Sequence, residues 1–384
     1  MKTNPFPSER QELRAALLSA VDSIADIVVE QRDASEAERT LAAPVVEALR
    51  ASPLIRMKAP REAGGAEAHP ADQMDVIEAM VRLDPAAAWS MMITAAAAGG
   101  ALSWLPDDVV AEITDRSFPM MAGSLKPAGV AERTAGGWRV SGRWGWASGV
   151  QHADYIAVPV ILADKSGVVR IVAPTSAITV HDTWHVLGMK GTGSVDFSLD
   201  GLFVPDRFAS LTAEPVRGGQ LYRLGYGYLV NEHGAFAYAL ARVAISLVRD
   251  LAVSKMRGYG VGASLADRAV VQRAIGEGEL RISATRLLMI DVIERLFDSA
   301  RETEAPVTLQ AEARAAAVLC TDEAIAVTTN LFRYAGGGAV MLANPLQRIL
   351  RDLFTAQSHL VVSDSAYENL GRLRLGLTST APLS

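Results

Sequence analysis

Cysteine is almost absent from this chain of 384 residues, which contains a single one, Cys320. A lone cysteine excludes an intramolecular disulfide, and no group of cysteine and histidine residues has the spacing that metal ligands need. We therefore expect no metal site. A chain with so little cysteine fits the reducing cytoplasm, where we expect the protein to be located.

A strong excess of charge is also missing. The chain has 37 Lys and Arg against 43 Asp and Glu, which gives a net charge of −6, and no basic run stands out. This balance speaks against nucleic acid or an anionic membrane as a partner. The N-terminus has no apolar segment of the secretory type, so no signal peptide is expected. The stretch from Pro85 to Pro106 carries no charge, but its Ala and Gly content favours a buried helix over a membrane span.

A dinucleotide fingerprint is not found in the sequence. Gly258, Gly260 and Gly262 have a similar spacing, but they follow a helical pattern rather than a strand. The phosphate-binding fingerprint requires a strand, a tight glycine turn and then a helix. We therefore predict that this chain does not bind NAD(P)H itself.

The hydrophobic pattern divides the chain into three parts. Helical periodicity is found in an N-terminal region and again after a Gly/Tyr-rich connector, whereas apolar and polar residues alternate between them. Helices are predicted at residues 9–33, 38–51, 70–83, 86–104, 231–257, 264–299, 307–335 and 345–374. The last four have the lengths and short breaks of an antiparallel four-helix bundle. The predicted domains are a helical domain at 1–117, an antiparallel β-domain at 118–215 and the bundle at 216–384.

The stretch from Trp138 to Pro205 has the clearest chemical content. Two predicted strands meet small residues there, Ala147-Ser148-Gly149 in the first block and Gly191-Thr192-Gly193-Ser194 in the second. Tryptophan beside hydroxyls and bare glycine backbone is a suitable wall for a flavin ring, because indole stacks and hydroxyls reach ring N and O atoms. An ordinary antiparallel sheet whose glycines form turns explains the same residues equally well.

The order of a helical domain, a β-domain and a four-helix bundle resembles the acyl-CoA dehydrogenase superfamily. Residues 144–149 resemble its flavin-facing strand end, and residues 188–196 resemble its second β motif. Arg257-Gly258-Tyr259-Gly260 with Gln272 is similar to the family's Arg/Phe-Gly/Gln element, and Arg351-Asp352 to its late Arg-Asp pair. The resemblance covers nearly the whole chain and implies an α+β fold.

The forms Ala-Ser-Gly and Gly-Thr-Gly-Ser are closer to one branch, the oxygenase components of two-component flavin-dependent monooxygenases, such as the 4-hydroxyphenylacetate hydroxylase and dibenzothiophene monooxygenase types. This branch implies an enzyme that inserts one oxygen of O₂ into a small organic, aromatic or heteroatom-containing substrate through a flavin C4a-hydroperoxide. A separate flavin reductase supplies reduced FMN or FAD. The branch also implies a homotetramer, with Arg257 acting across a subunit interface.

Two departures qualify the resemblance. A dehydrogenase places its catalytic carboxylate shortly after the Arg-Asp pair, but residues 353–359 contain none, and Glu368 lies about two helical turns too late. His359 instead matches a histidine of the monooxygenase branch. That branch commonly has a second histidine after the Ala-Trp of an N-terminal helix, whereas none follows Trp89 in this chain until residue 152.

The resemblance implies the following site. His359, placed in the fourth bundle helix, and Ser148 are the predicted catalytic residues. The predicted cofactor-binding residues are Trp146, Ala147, Ser148, Gly191, Thr192, Gly193, Ser194 and Arg257. Three of these residues also have a purely structural interpretation. Ser148 can be a turn serine, Arg257 a solvated arginine at a helix end, and His359 a core histidine.

Other functions stay open at the level of the sequence. A related flavin dehydrogenase and an N-oxygenase of amino sugars are neighbouring enzyme classes. A flavin-fold subunit that has lost catalysis is the non-enzyme alternative, and the missing N-terminal histidine favours it. His152, His181, His185 and His233 are interpreted as isolated residues that complete local hydrogen bonds.

Overall fold

The computed structural model describes residues 4–254 and 264–378 of the chain. Most predicted helices are found close to their expected bounds. In chain order they are α1 (Arg10–Ser23), α2 (Ala25–Glu38), α3 (Ala43–Ala51), α4 (Pro70–Leu83), α5 (Pro85–Trp104), α6 (Asp107–Thr114), α7 (Gly227–Ser254), α8 (Ala269–Ser299), α9 (Val307–Ala335), α10 (Pro345–Ala356) and α11 (Ser365–Arg374).

The prediction of one helix over residues 9–33 is wrong. α1 ends at Ser23, and Ile24 leaves helical geometry with φ −112° and ψ 6° before α2 begins. The apolar residues continue at helical spacing across this break, so Leu17, Val21 and Val28 are all buried. Periodicity of burial alone therefore could not reveal where the backbone bends.

The middle region forms one eight-stranded sheet. Its strands are β1 (Met121–Gly123), β2 (Ala128–Thr134), β3 (Gly137–Trp144), β4 (Tyr155–Leu162), β5 (Val168–Pro174), β6 (Thr179–His181), β7 (Asp196–Pro205) and β8 (Ala209–Ser210). The order is β6-β7-β3-β2-β4-β5-β8, and β1 also pairs with β4. β4 runs parallel to both β1 and β2, so the sheet is mixed rather than wholly antiparallel as predicted.

Asp200-Gly201, a residue pair typical of turns, forms a bulge inside β7. Pairing with β3 shifts register between Val140 and Gly142 while β7 continues to Pro205. Gly201 has φ +59°, which a residue with a side chain rarely adopts. The Gly201 N–H donates to the Ser141 hydroxyl at 2.8 Å instead of to the strand.

The described residues form two compact units. The first contains residues 1–69, 86–185 and 190–222, and the second contains 70–85, 186–189 and 223–384. The first unit holds the sheet together with α1, α2, α3, α6 and nearly all of α5. The second holds α4 and the C-terminal helices, so residues 70–85 pack with the bundle. The three predicted domain boundaries stay a prediction.

Within the second unit, α4 is tied to α8 by ion pairs. Arg286 donates to Glu78 at 2.7 Å and to Asp75 at 2.5 Å, and its guanidinium lies over the Tyr238 ring. Burial of Glu78 raises its pKa, and the Arg286 hydrogen bond opposes that shift. Removal of one partner from such a pair leaves a charge that is poorly solvated.

The fourth predicted bundle helix, 345–374, is broken. α10 stops at Ala356, a short 3₁₀ helix covers Leu360–Val362, and α11 begins at Ser365. His359 has φ −73° and ψ 139°, and its side chain accepts the Val361 N–H. Arg314 of α9 binds the carbonyls of Leu360 and Val361. In a continuous helix, the Val361 N–H and the Leu360 and Val361 carbonyls would bond to other backbone groups. Because they bond to His359 and Arg314 instead, the helix ends here.

Two described helices are long and apolar enough to cross a membrane by length and composition. Of the most apolar window in α5, 83% is buried inside the protein, and of that in α9, 56%. The prediction of a buried helix for Pro85–Trp104 is confirmed.

Candidate functional site

A buried chain of hydroxyls is the main polar feature of the first unit. Ser148, Thr192 and Ser194 are 6%, 1% and 3% exposed. Ser194 Oγ lies 2.7 Å from both Ser148 Oγ and Thr192 Oγ1. The indole Nε1–H of Trp89, on α5, donates to Ser148 Oγ at 3.0 Å. The structure thus brings the two predicted hydroxyl motifs together and adds Trp89, which the sequence had suggested only as a neighbour of the missing histidine.

Backbone geometry after β3 places these groups. Trp146 has φ +64°, and Gly149 has φ +72°. Such a conformation is uncommon for a bulky residue and costs of order 1 kcal/mol or more. It leaves the Trp146 side chain 61% exposed beside the buried Ser148. The N–H groups of Ala147 and Gly149 then donate to the carbonyls of Val195 and Thr192 at 3.1 and 3.0 Å.

The two glycines of the second motif are packed tightly. A Cβ on Gly191 would lie 2.9 Å from the Ala86 Cβ, and one on Gly193, with φ +54°, would lie 2.7 Å from Gln151 Oε1 and 2.9 Å from Thr40 Oγ1. Only glycine fits at these two positions, because neighbouring atoms of the chain fill the space that a side chain would occupy. Their part in cofactor binding stays a prediction.

In the second unit, the segment 186–189 is held on α10. The Gly188 N–H donates to Thr355 Oγ1 at 3.0 Å, and the Met189 N–H donates to Asp352 Oδ1 at 2.5 Å. Arg351 donates to the Leu187 carbonyl at 2.5 Å. A Cβ on Gly188 would lie 2.2 Å from the Arg351 carbonyl oxygen, so a larger residue does not fit. Arg351 and Asp352 therefore hold the backbone at the start of the second motif by hydrogen bonds.

His359 stacks on His233 in the second unit. The ring centroids are 4.3 Å apart with an interplanar angle of 29°. Val361 N–H donates to His359 Nδ1 at 3.3 Å, which makes Nδ1 the unprotonated nitrogen and Nε2 the donor. His233 Nδ1 lies 3.0 Å from the Leu229 carbonyl, which can only accept, so His233 carries its proton on Nδ1.

Desolvation lowers the pKa of His359 to about 4. The imidazole is therefore neutral near pH 7 and carries its proton on Nε2. The predicted position of His359 in the fourth bundle helix is wrong, because α10 ends three residues earlier.

The interpretation of His233 as an isolated histidine is wrong. His233 is 4% exposed on α7 and pairs with His359, so it is not isolated. No spacing connects positions 126 residues apart, and nothing in the local pattern of α7 marks His233. The other three interpretations hold: His152 bonds Thr40, His181 bonds Ser198, and His185 lies beside Asp182 and Arg39 near the surface.

Tyr226 supplies a further polar atom near this region. Its phenol oxygen is buried and has no hydrogen-bond partner among residues 4–254 and 264–378. Burial raises the pKa of Tyr226 above its ordinary value, and the positive charge of Arg314 opposes part of this shift. Buried hydroxyls without a partner are uncommon and are found where a ligand or water completes the bonding.

Two sequence elements that were compared with the acyl-CoA dehydrogenase family add no group to the site among the described residues. Arg257 and residues 258–262 lie outside the described residues. Gln272 is exposed on α8, where its side chain donates to the Ala266 carbonyl at 2.9 Å. Glu368, the carboxylate nearest to the expected dehydrogenase base, is exposed on α11, and the neighbouring Tyr367 donates to Asp322 at 2.8 Å.

Comparison with known proteins decides between the family readings. Residues 232–364 match the model described as acyl-CoA dehydrogenase, C-terminal domain. The structure of XiaF from Streptomyces sp. in complex with FADH2 and glycerol superposes with a TM-score of 0.91 at 23% identity, over 98% of this chain and 99% of that one. The chain therefore has the fold of XiaF, and its residues 232–364 are similar to the acyl-CoA dehydrogenase C-terminal domain.

Relatives found by sequence are named as hydroxylases, and one of them as an oxygenase component. The pigment production hydroxylase of Rhodococcus erythropolis is 26% identical over 96% of this chain and 98% of its own length. The oxygenase component of the FADH(2)-dependent resorcinol hydroxylase of Rhizobium sp. is 25% identical over 98% of both chains. These relatives confirm the predicted resemblance to flavin-dependent monooxygenase oxygenase components.

Proposed function

We propose that this chain is the oxygenase component of a two-component flavin-dependent monooxygenase. It inserts one oxygen atom of O₂ into a small organic substrate that is aromatic or contains a heteroatom. Reduced FAD or FMN comes from a separate reductase. Support comes from the relatives, which are named as hydroxylases, one of them as an FADH(2)-dependent oxygenase component.

The hydroxyl chain suits a flavin ring. Ser148 offers a buried O–H group beside the turn where the Trp146 indole is exposed, and Ser194 and Thr192 continue the hydrogen-bonded chain behind it. Ring N and O atoms need such donors and acceptors, and an indole supplies a flat apolar face. Ser148 is the group that would hold the ring, with Thr192 and Ser194 fixing its hydroxyl, because the Ala147 N–H is committed to the Val195 carbonyl. Bound reduced flavin supplies the electrons with which O₂ is activated.

The observation that carries this proposal is the bonding at Ser148 Oγ. A serine hydroxyl accepts two hydrogen bonds and donates one. Ser148 accepts from the Trp89 indole and lies 2.7 Å from Ser194. We assign the direction from Thr192 through Ser194 to Ser148, so that both Ser148 lone pairs are occupied. The Ser148 proton is then left for a ligand, and the two accepted bonds strengthen it as a donor.

His359 acts as the second proton-handling residue. Its Nε2–H is a neutral donor near pH 7, because Nδ1 already accepts the Val361 N–H and the pKa lies at about 4. Such a group hydrogen-bonds a developing negative charge without adding a positive one. General acid catalysis of this kind contributes typically ~10²–10⁴-fold in rate.

The dehydrogenase alternative has weaker support. Abstraction of a proton next to a thioester carbonyl needs a carboxylate or comparable base within reach. Glu368 is exposed on α11, and Asp352 is committed to the Met189 N–H at 2.5 Å.

A homotetramer is the proposed assembly. Along α8, Leu280 is 75% exposed, Leu287 70% and Leu288 37%. Residues seven and eight positions apart lie on one face of a helix, so these leucines form an apolar stripe. A stripe of this kind on an exposed helix marks a contact with another subunit. The cytoplasmic location stays a prediction.

Anaerobic flavin titration tests the proposed function. The purified chain should bind reduced FAD or FMN more tightly than the oxidised forms, measured by quenching of Trp fluorescence. It should not oxidise NADH in the presence of flavin until a flavin reductase is added. Steady NADH oxidation by the chain alone, or equal affinity for both redox states, would contradict the proposal.

A further inference from the structure

Arg314 is buried on α9 and points its guanidinium at the segment that carries His359. The residue is 2% exposed. Nη2 donates to the Leu360 carbonyl at 3.0 Å and to Ser365 Oγ at 3.1 Å, and Nε donates to the Val361 carbonyl at 3.0 Å. Val318, one turn further along α9, packs with Val362 and Ala366. This segment is therefore fixed to α9 by charge-assisted hydrogen bonds and by apolar contact.

Each of the two carbonyls bound by Arg314 belongs to a peptide group whose N–H is bound to His359. The Leu360 carbonyl shares its peptide with the Val361 N–H, which donates to His359 Nδ1 at 3.3 Å. The Val361 carbonyl shares its peptide with the Val362 N–H, which donates to the His359 carbonyl at 3.0 Å. Two successive peptides thus link the guanidinium to the histidine, one ending on the ring and one on the backbone.

Hydrogen bonds in series polarise one another. A cation on the carbonyl side of a peptide draws electrons away from its N–H, which becomes a stronger donor, by about 10–30% per bond in condensed-phase estimates. A stronger Val361 donor favours a lone pair on His359 Nδ1 and therefore a proton on Nε2. The same positive charge disfavours protonation of the ring.

We propose that Arg314 is a positioning residue that holds His359 in the neutral form protonated on Nε2, through the Leu360–Val361 peptide. Among the described residues, two titratable groups from different parts of the chain interact with this pair. They are His233 on α7, which stacks on the ring, and Tyr226 just before α7, which interacts electrostatically with Arg314. The catalytic consequence of the proposal rests on the proposed function, whereas the tautomer itself does not.

Magic-angle-spinning NMR of the full chain, labelled with ¹⁵N in its six histidines, tests the tautomer directly. The His359 signals are identified by their loss in His359→Asn. At pH 7.5 the wild type should show a protonated Nε2 and an unprotonated Nδ1. A wild-type His359 protonated on Nδ1 would overturn the proposal, whatever any variant does.

Variants of Arg314 then test the relay. In Arg314→Met the fraction of His359 protonated on Nδ1 should rise several-fold, and Arg314→Lys should restore most of the wild-type pattern because the cation is kept. Arg333→Met, an exposed arginine on the same helix, should change nothing. An unchanged tautomer in a folded Arg314→Met, or a failure of Lys to restore it, would overturn the proposal.

An activity measurement separates this proposal from the proposed function. Reduced FAD and O₂ are added to each variant, and the rate of H₂O₂ release is recorded. A shifted tautomer with wild-type H₂O₂ release would leave the Arg314 relay standing and remove the catalytic role of His359. A shifted tautomer with release accelerated several-fold would support both.

Discussion

The Trp89 indole and the Ser148 hydroxyl, 59 residues apart in the chain, are joined by a hydrogen bond of 3.0 Å. This bond occupies one lone pair of Ser148 and so helps to decide where the serine proton points. Trp89 lies on α5, on which the resembling branch also carries a histidine. The indole therefore gives this wall of the first unit a polar function that does not depend on that histidine.

Replacement of Trp89 tests this role. Trp89→Phe keeps the ring but removes the N–H, so Ser148 loses one of its fixed bonds and its proton is less well directed. One hydrogen bond is worth ~0.5–1.5 kcal/mol, which corresponds to an increase of about 2- to 12-fold in the rate of H₂O₂ release. Trp104→Phe, on the same helix, is the matched control and should have no effect. Identical rates in both variants would remove Trp89 from the site.

Two substitutions of His359 separate the structural role of its Nδ1 from the proposed catalytic role of its Nε2. Asn places an acceptor near the position of Nδ1, so His359→Asn should keep the cap on Val361 and the thermal stability. Gln places an N–H near the position of Nε2, so His359→Gln should keep more of the coupled turnover but unfold several degrees lower, because the cap is lost. Coupling is measured as product formed per flavin oxidised, or as H₂O₂ release where no substrate is known. The reverse pattern would show that Nδ1 is the functional atom.

Stability should depend on pH through His359. Its folded pKa of about 4 lies below the ordinary value of 6.5, so between these values the unfolded chain binds a proton that the folded chain does not. The free energy of unfolding therefore falls as pH decreases from 6.5 to about 4, by up to ~3 kcal/mol. Urea unfolding of wild type and His359→Asn across this range isolates the effect. Equal pH dependence in the two proteins would contradict the lowered pKa.

The leucine stripe on α8 should hold subunits together. The double variant Leu280→Glu, Leu287→Glu places charges in the proposed contact and should dissociate the tetramer at micromolar concentration. Leu375→Glu, which alters a leucine that is 78% exposed outside this helix, is the control. Sedimentation equilibrium measures the mass of each. A wild-type monomer would refute the tetramer, and an intact double-variant tetramer would place the contact elsewhere.

Sequence patterns predicted the architecture because periodicity reports which face of an element is buried. α4 and α9 were found at their predicted residues, 70–83 and 307–335. Breaks at Ile24 and after Ala356 were missed, because the apolar residues keep helical spacing on both sides. The second break depends on Arg314, whose hydrogen bonds reach 46 and 47 residues along the chain. Such competition for backbone groups leaves no local signal.

Prediction of the site was uneven for a similar reason. Ser148, Thr192 and Ser194 were singled out because small hydroxyl residues at strand ends form recognisable motifs; the structure joins them by hydrogen bonds, and their part in binding stays a prediction. Trp89 and His233 were not, because each gains its role from a partner in a distant part of the sequence. The tight packing at Gly191 and Gly193 could not be predicted either. A glycine needed for a turn and a glycine needed for close packing cannot be told apart in a sequence.

We propose above all that this chain controls the reaction of reduced flavin with O₂ and that the Ser148 hydroxyl is the proton donor on which this control depends. The most direct measurement mixes the anaerobic chain and reduced FAD with O₂ and follows oxygen uptake and H₂O₂ release together. We predict that H₂O₂ appears well after the oxygen is consumed, and that Ser148→Ala shortens this delay several-fold while flavin affinity changes little. Simultaneous oxygen uptake and H₂O₂ release, as with free flavin, would contradict the account.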